Sequence, residues 1–325
     1  MTDNVRATDS PSSGPFLDMM DALLIGGAER LGESFRRTHT DYLLAAQDSC
    51  GGFGGPDGTP DTYYTRFALH ALKVLGLPVG EPAWASASAW LRALPPRPGN
   101  VVECLDRLQS FRMLEGRGCT SLEADARSRW REQTAALLAE CRTDDGAVAF
   151  APGGLGGPYY AFLAALCYDL LGRPMPDRER AVAAVLACAT PDGGFGGQPG
   201  GSTGQTNPTA AAVCFLAISD ALDEATARGG ASFLAGLQRP DGGLAAHPAA
   251  TVADLMSTFT ALYAAAVVDC VDALRLGPVA RFARALAQPG GGFRPVAIGG
   301  AADVEYTFYG IATLALLASI VAERG

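Results

Sequence analysis

The stretch Asp192-Gly193-Gly194-Phe195 recurs along the chain as Cys50-Gly51-Gly52-Phe53, Asp241-Gly242-Gly243-Leu244 and Gly290-Gly291-Gly292-Phe293. A weaker copy is Asp145-Gly146-Ala147-Val148, and Gly99 falls midway between that copy and the first one. The turns at positions 52, 99, 147, 194, 243 and 292 are separated by 47, 48, 47, 49 and 49 residues. Because regular spacing of this kind is the signature of a repeat architecture, the sequence predicts six units.

Each unit has the pattern of two helices joined by the glycine turn and a loop. The first helix carries Arg and Glu on one face, as in residues 178–186. Glycine ends it because only glycine enters φ > 0 without steric cost. The second helix is apolar on nearly all faces, and such a helix must be buried on all sides. Its N-cap is an Asp or Asn, and the expected caps are Asp61, Asn207, Asp254 and Asp303.

Six buried helices inside six amphipathic ones can close into two concentric rings. We therefore predict an all-α fold, an (α/α)6 toroid of six antiparallel helix pairs. An open solenoid is the alternative, but it would expose its inner helices to water on one side. The inner helices are predicted to begin near Asp61, Asn100, Pro158, Pro208, Asp254 and Asp303. The second unit departs from the pattern, because almost no loop separates its turn from Asn100.

The rest of the chain fits one domain, predicted to span residues 16–325. Residues 16–31 are expected to form an extra N-terminal helix on the ring, and residues 1–15 a disordered tail without the pattern of a signal peptide. The apolar stretch 310–321 is too short to span a bilayer by itself.

Eight dispersed cysteines, with no CxxC pair, favour the cytoplasm. A net charge of −9 argues against nucleic acid or an anionic membrane surface as a partner.

Aromatic side chains concentrate near the starts of the predicted inner helices, which lie toward one mouth of the central funnel. Such a funnel suits a long apolar ligand, and its π faces also stabilise a cation. Ordinary core packing is the alternative for each residue taken singly. The predicted cavity opens where the Gly-rich loops meet and is walled by Tyr63, Tyr160, Phe259, Tyr306 and Tyr309. The wider set of predicted substrate-binding aromatics adds Tyr64, Tyr159 and Tyr263.

The segment 303–312 and the turn 191–196 resemble protein prenyltransferase β subunits, most closely the Rab geranylgeranyltransferase type. The similarity covers residues 35–320 and shares the repeat, the turns and the inner-helix pattern. Related toroids include the cyclisation domains of class II terpene cyclases. The resemblance implies a cavity for an isoprenoid chain, and it leaves open an α-subunit-like partner or a homo-oligomer.

The family's catalytic zinc, which an Asp, a Cys and a His bind, is not matched residue by residue. Asp254 matches the first ligand, but Met256 and Tyr306 fall where the Cys and the His would be. A thioether and a phenol are poor zinc ligands. We therefore predict no catalytic zinc and no other cofactor, and the sequence leaves magnesium open.

The family's diphosphate-binding residues are also replaced. A prenyl diphosphate needs Arg or Lys donors, and the sequence offers Arg66 and Arg294 near the predicted mouth. The alternative for each is a solvated surface arginine.

Three functions remain open at this point. The first is a zinc-independent isoprenoid enzyme, with acid-initiated class II terpene cyclisation as its sharpest form. The second is zinc-independent prenyl transfer to a small acceptor, and the third is an isoprenoid or lipid binder or a β-like subunit.

The chain has no DxDD acid motif. The candidate catalytic residues are Asp61, Asp254, Asp303 and Tyr306. Each of the three aspartates is a candidate for a lone acid, because burial can raise a carboxyl pKa into a useful range. Helix N-capping is the alternative for the three aspartates.

Overall fold

A computed structural model describes residues 16–119 and 124–324, and nearly all of the regular secondary structure in these residues is helical. The helices are α1 (Phe16–Glu29), α2 (Glu33–Ala45), α3 (Thr62–Val74), α4 (Pro82–Ala93), α5 (Val101–Glu115), α6 (Ala124–Glu140), α7 (Pro158–Leu171), α8 (Arg178–Leu186), α9 (Thr206–Ile218), α10 (Glu224–Gly236), α11 (Leu255–Val267), α12 (Leu276–Leu286) and α13 (Val304–Arg324). A short 3₁₀ helix, Val271–Ala273, precedes α12. The predicted tail, residues 1–15, lies outside the described residues.

The odd-numbered helices from α3 to α13 form an inner ring, and the even-numbered helices lie outside them. Each inner helix packs against the next one along the chain, and α13 returns to pack against α3. The inner helices are largely buried, as the near-total burial of α13 illustrates. The predicted all-α toroid is confirmed, because the contact between the last and first inner helices excludes an open solenoid.

The glycine turns recur in the structure at the predicted interval. Five of them form the same antiparallel bridge, which pairs Gln47 with Phe53, Arg142 with Val148, Ala189 with Phe195, Gln238 with Leu244, and Ala287 with Phe293. The weak copy in the third unit is thus a true copy, whereas the second unit forms no such bridge within the described residues. The named strands are two small ribbons, Phe53–Gly54 with Pro60–Asp61 and Leu244–Ala245 with Ala253–Asp254.

A buried threonine fastens four of these turns to the inner helix that follows. The backbone N–H of Phe195 donates to the hydroxyl of Thr209 over 2.9 Å. The equivalent bonds join Phe53 to Thr65, Leu244 to Thr258, and Phe293 to Thr307. Each bond satisfies a backbone donor that the turn would otherwise bury without a partner. These threonines were not singled out in the sequence.

The outer wall closes where the last turn meets the first outer helix. Gly291 has φ 93°, and a Cβ there would lie 2.6 Å from the carbonyl oxygen of Thr38. The next N–H, of Gly292, donates to Nδ1 of His39 over 3.0 Å, and the imidazole stacks on Phe293. Gly51 packs in the same way against Ser86 of α4. The last unit therefore packs on the first through the same kind of contact that joins the first to the second.

The inner helices begin within one residue of the predicted positions, except α9. This helix begins at Thr206, so Asn207 lies in its first turn and is not the N-cap. The cause is a tertiary contact. The hydroxyl of Thr206 donates to the carbonyl of Ala245, and its backbone N–H donates to the carbonyl of Ala246. These two hydrogen bonds fix the start of α9 on the neighbouring loop.

The predicted extra helix is α1, which packs mainly on α13 and also contacts α3 and α7. Its Gly27 lies so close to α13 that a Cβ would meet the carbonyl oxygen of Ala315. By length and composition α13 is apolar enough to cross a membrane, but 83% of that window is buried inside the protein. Helix α13 is therefore part of the ring's core.

Candidate functional site

The inner ring encloses a cavity of about 160 Å³. Every inner helix contributes its fifth residue to the wall, namely Arg66, Leu105, Phe162, Ala210, Phe259 and Phe308. The other inner-helix residues of the wall are second, sixth or ninth residues, and at about 100° per residue these positions share one helix face. They are Phe67, His70, Gln109, Tyr159, Leu163, Leu166, Asn207, Ala211, Cys214, Thr260, Tyr263 and Tyr309. Leu17, Met20, Asp21 and Leu24 of α1 complete it.

The structure places five of the predicted binding residues in this wall: Arg66, Tyr159, Phe259, Tyr263 and Tyr309. Tyr160 and Tyr306, which were predicted to wall the cavity, are not among its lining residues. Together with Tyr64 they are the third residues of their helices, and so they turn about 100° away from the second residue. Tyr160 instead contacts the ring of Phe150, and Tyr64 covers Gly55.

Two further predicted residues also lie outside the wall. Tyr63 is at a second position, but its phenol is bound to Glu305 and it is not part of the cavity lining. Arg294 lies in the loop after α12, half-buried, and it does not reach the cavity. The aromatic set at the helix starts was therefore only partly a set of cavity residues.

Arg66, which lines the cavity, forms a buried ion pair with Asp106, which is not itself one of the lining residues. Its Nε donates to Oδ1 of Asp106 over 2.6 Å, and its guanidinium lies 3.8 Å from the ring centroid of Phe67. Asp106 is the sixth residue of α5, and 1% of it is exposed. Its second oxygen, Oδ2, has no hydrogen-bond partner among the described residues. Burial raises the pKa of Asp106 to about 6, although the charge of Arg66 opposes that shift. This carboxyl therefore titrates close to neutral pH.

A second carboxyl lies in the layer formed by the second residues of the inner helices. Tyr63 of α3 donates its hydroxyl to Oε1 of Glu305 on α13 over 2.6 Å. Burial raises the pKa of Glu305, and the nearby carboxylate of Asp303 adds to this effect. Burial raises the pKa of Tyr159 to about 12, so the neighbouring phenol stays protonated. Tyr159 lies in the same layer and is 36% exposed, which marks this end as the mouth of the cavity.

The three aspartates predicted as acids lie at the N-termini of inner helices, outside the cavity lining. Each accepts the N–H three residues later: Asp61 from Tyr64, Asp254 from Ser257 and Asp303 from Tyr306. Burial raises the pKa of all three, and these hydrogen bonds oppose the shift. This hydrogen-bond geometry is that of helix N-caps, and it explains the presence of the three aspartates. Catalysis by these residues or by Tyr306 stays a prediction.

Asp106 and Glu305 were missed in the sequence. An alignment of the inner helices by their N-caps would have found them. In that alignment Arg66, Asp106 and Glu305 are charged residues at inward positions that are otherwise mostly apolar or aromatic. Charged residues are almost never fully buried unless they are paired. A charged side chain at an inward position of an inner helix therefore indicates a candidate functional residue.

The residues at the family's zinc position do not fit a zinc ion. Both carboxylate oxygens of Asp254 are bound by Ser257, through its N–H and its hydroxyl. The Met256 sulfur accepts from the Asn207 amide over 3.6 Å, and the pKa of Tyr306 is raised to about 12, mainly by burial. Zinc requires thiolate, imidazole or a free carboxylate. Within the described ranges no three His, Cys, Asp or Glu side chains cluster as metal ligands.

Comparison with known proteins agrees with this architecture. The family model of the prenyltransferase alpha-alpha toroid domain matches residues 17–173 and 157–324. The chain belongs to this family. No curated protein matches the sequence.

Solved structures show the same toroid at low sequence identity. Protein geranylgeranyltransferase-I of Candida albicans, complexed with GGPP, is 13% identical with a TM-score of 0.66, and the match covers 86% of this chain and 90% of that one. The type II terpene cyclase MstE of Scytonema is 15% identical with a TM-score of 0.57, covering 94% and 98%. An Actinoplanes protein is 18% identical with a TM-score of 0.53, covering 88% and 99%.

Proposed function

We propose that this toroid takes an isoprenoid chain into its central cavity and cyclises it without zinc, with Asp106 as the acid that starts the reaction. The observation that carries the proposal is the buried Arg66–Asp106 pair beside an apolar, aromatic cavity. A general acid is most effective when its pKa lies near the working pH, and the pKa of Asp106 is about 6.

The chemistry needs no oxidant and no co-reactant. The proton of Asp106 adds to the less substituted carbon of an isoprenoid alkene, and the other carbon becomes a tertiary cation. The π electrons of the next alkene attack that cation, which closes a ring and moves the charge along the chain. A neighbouring C–H then gives its proton to water, and its bonding electrons form the new alkene that ends the sequence. Asp106 takes up a proton from water, so the product is an isomer of the substrate.

Arg66 is a positioning residue in this scheme. It holds Oδ1 of Asp106 and leaves Oδ2 without a hydrogen-bond partner among the described residues, so Oδ2 is the atom that carries the proton. Aromatic faces stabilise a cation by about 0.5–2 kcal/mol each. The cavity supplies such faces from Phe67, Phe259, Phe308 and Tyr309. Phe308 and Tyr309 each contact Phe67, Phe259 and one another, with ring centroids 5.1–5.7 Å apart.

Charge in the cavity favours cyclisation over transfer from a prenyl diphosphate. Among the described lining residues Arg66 is the one arginine or lysine, and Asp106 already pairs with it. A diphosphate normally needs several such donors. A variant of the Scytonema cyclase has been solved with geranylgeranyl dihydroxybenzoate, its substrate. A prenylated aromatic acid is therefore the first substrate to test here.

The experiment incubates the protein with geranylgeranyl dihydroxybenzoate, and separately with geranylgeranyl diphosphate, in D₂O. Cyclisation gives an isomeric product that carries one deuterium from the acid, whereas transfer releases diphosphate. Asp106→Asn is expected to abolish the product while substrate still binds. Asp41→Asn, on the exposed face of α2, is the matched control and should keep full activity.

Each other outcome contradicts a defined part of the proposal. If Asp254→Asn or Asp303→Asn abolishes the product and Asp106→Asn does not, the acid is assigned to the wrong residue. Diphosphate release without an isomeric product would favour transfer. If no isoprenoid of the panel binds or reacts, the proposed function is wrong.

A further inference from the structure

Helix α1 closes the end of the cavity that lies opposite the mouth. Leu17, Met20 and Leu24 lie on one face of α1, at a spacing of three and four residues, and all of them line the cavity. They are 7%, 2% and 1% exposed. Helix α1 is not one of the six repeated helix pairs, and so the repeat by itself does not form this floor.

The lining residues around α1 show that it lies at the deep end. The ring of Phe16, the first residue of α1, meets those of Phe162 and Tyr263 edge-on at 6.1 and 6.0 Å. Asp21 contacts His70, and both His70 and Tyr263 are ninth residues of their helices. The exposed Tyr159 is a second residue and belongs to the mouth. The axis of the cavity therefore runs from Tyr159 to α1.

The floor is held firmly in place. Asp21 binds Nε2 of His70 over 2.6 Å and Nζ of Lys73 over 2.5 Å. These two partners keep the pKa of Asp21 well below its usual range, against the opposing effect of its burial. The hydroxyl of Ser319 donates to the carbonyl of Leu23 over 2.6 Å, and Gly27 is in close contact with α13. A floor fixed by contacts to two inner helices gives the cavity a fixed depth.

We propose that α1 sets the length of the isoprenoid chain that this protein accepts, with Met20 and Leu24 as the residues that determine specificity. The proposal rests on the proposed function, because it assumes an isoprenoid in the cavity. A chain that is one isoprene unit too long cannot keep its head group at the mouth. A chain that is too short leaves an unfilled void at α1, and each unburied methylene weakens binding.

The experiment measures dissociation constants for C15, C20 and C25 prenyl chains on the same dihydroxybenzoate head group. Met20→Ala deepens the cavity and is expected to shift the affinity ratio toward the longer chain by about tenfold or more, the range seen for small changes in apolar pockets. Met20→Phe makes the cavity shallower and should shift the ratio toward the shorter chain. Met19→Ala is the matched control, because Met19 is the adjacent methionine but is 47% exposed on the outer face of α1.

The outcomes separate this proposal from the proposed function. If Met20→Ala weakens every chain by the same factor, or if Met19→Ala shifts the ratio equally, α1 does not set the chain length even though isoprenoids bind. If the unmodified protein binds no chain of any length, the proposed function fails first. Thermal unfolding shows whether Met20→Ala is folded. If it is not folded, Met20→Phe is the deciding variant. An unchanged ratio of long-chain to short-chain affinity in Met20→Phe then overturns the proposal.

Discussion

Arg66 on α3 and Asp106 on α5 form a buried ion pair that joins two neighbouring inner helices, with 2.6 Å between Nε and Oδ1. The side chains are 12% and 2% exposed. Burying two charges costs several kcal/mol per ion, and their attraction returns this only when the geometry is good. An apolar pair at these positions would serve the ring at least as well. We therefore expect the pair to be retained for what it does in the cavity.

Removing Arg66 should destabilise the protein strongly. In Arg66→Met the carboxylate of Asp106 is left buried without its partner, and the expected loss in free energy of unfolding is about 3–5 kcal/mol near neutral pH. The charge of Arg66 lowers the pKa of Asp106, which is about 6 in the unmodified protein. In Arg66→Met this pKa lies higher, so the two folded proteins differ in the charge of Asp106 as the pH rises above 6. The deficit of Arg66→Met should accordingly shrink as the pH falls, which urea unfolding at several pH values measures.

Two comparisons test that explanation. The double variant Arg66→Met/Asp106→Leu should recover most of the lost stability, because no charge is left buried. Arg228→Met removes an exposed ion pair with Glu224 on α10 and should cost about 0.5 kcal/mol or less. Equal losses in Arg66→Met and Arg228→Met would mean that the buried pair does not behave as an ion pair.

Gly291→Ala should weaken the closure of the ring. The positive φ of 93° and the carbonyl of Thr38, 2.6 Å from the new Cβ, together cost about 2–5 kcal/mol. Gly290→Ala is the control, because its Cβ meets nothing within 4 Å, and its effect should stay within about 0.5 kcal/mol. Thermal unfolding of both variants measures the difference. Similar melting temperatures would show that the last turn does not need to approach α2 closely.

His39 should make the ring closure sensitive to acid. Burial lowers the pKa of His39 to about 4 from 6.5, so the unfolded chain takes up a proton more readily than the folded one. The stability that this histidine contributes is complete above pH 6.5 and is lost as the pH falls toward 4, by roughly 3 kcal/mol. Protonation also removes the Nδ1 acceptor used by Gly292.

The measurement is the stability difference between the unmodified protein and His39→Gln across this pH range, because the difference cancels the titration of other groups. His247→Gln, in an exposed loop, is the control and should follow the unmodified protein. A His39→Gln difference that does not change between pH 6.5 and 4 would contradict the predicted acid sensitivity.

Asp254 is expected to act as a helix cap and not as a zinc ligand. Asp254→Ala should lose about 1 kcal/mol of stability, close to the loss in Asp223→Ala, which removes the cap of outer helix α10. Metal analysis of untagged protein should find no stoichiometric zinc, and a chelator should leave the melting temperature unchanged. Stoichiometric zinc that disappears in Asp254→Ala would overturn this interpretation.

Much of the fold could be predicted because its signals are local. The glycines of the turn at 192–195 and the N-caps Asp61, Asp254 and Asp303 act on the backbone within a few residues, so the sequence alone indicates where helices stop and start. The start of α9 was misplaced because Thr206 is fixed by Ala245 and Ala246 of the next unit. That contact crosses about forty residues and leaves no local signal.

The sequence by itself determined the repeat, the helix pairs and the apolar inner helices, because these follow from periodicity and backbone chemistry. Only the tertiary structure decided which side chains line the cavity. Tyr159 and Tyr160 are adjacent in sequence, but one faces the cavity and the other packs against Phe150, since consecutive helix residues point about 100° apart. The partnership of Arg66 with Asp106 likewise depends on the packing of α3 against α5, which places side chains from two successive repeats within hydrogen-bond distance.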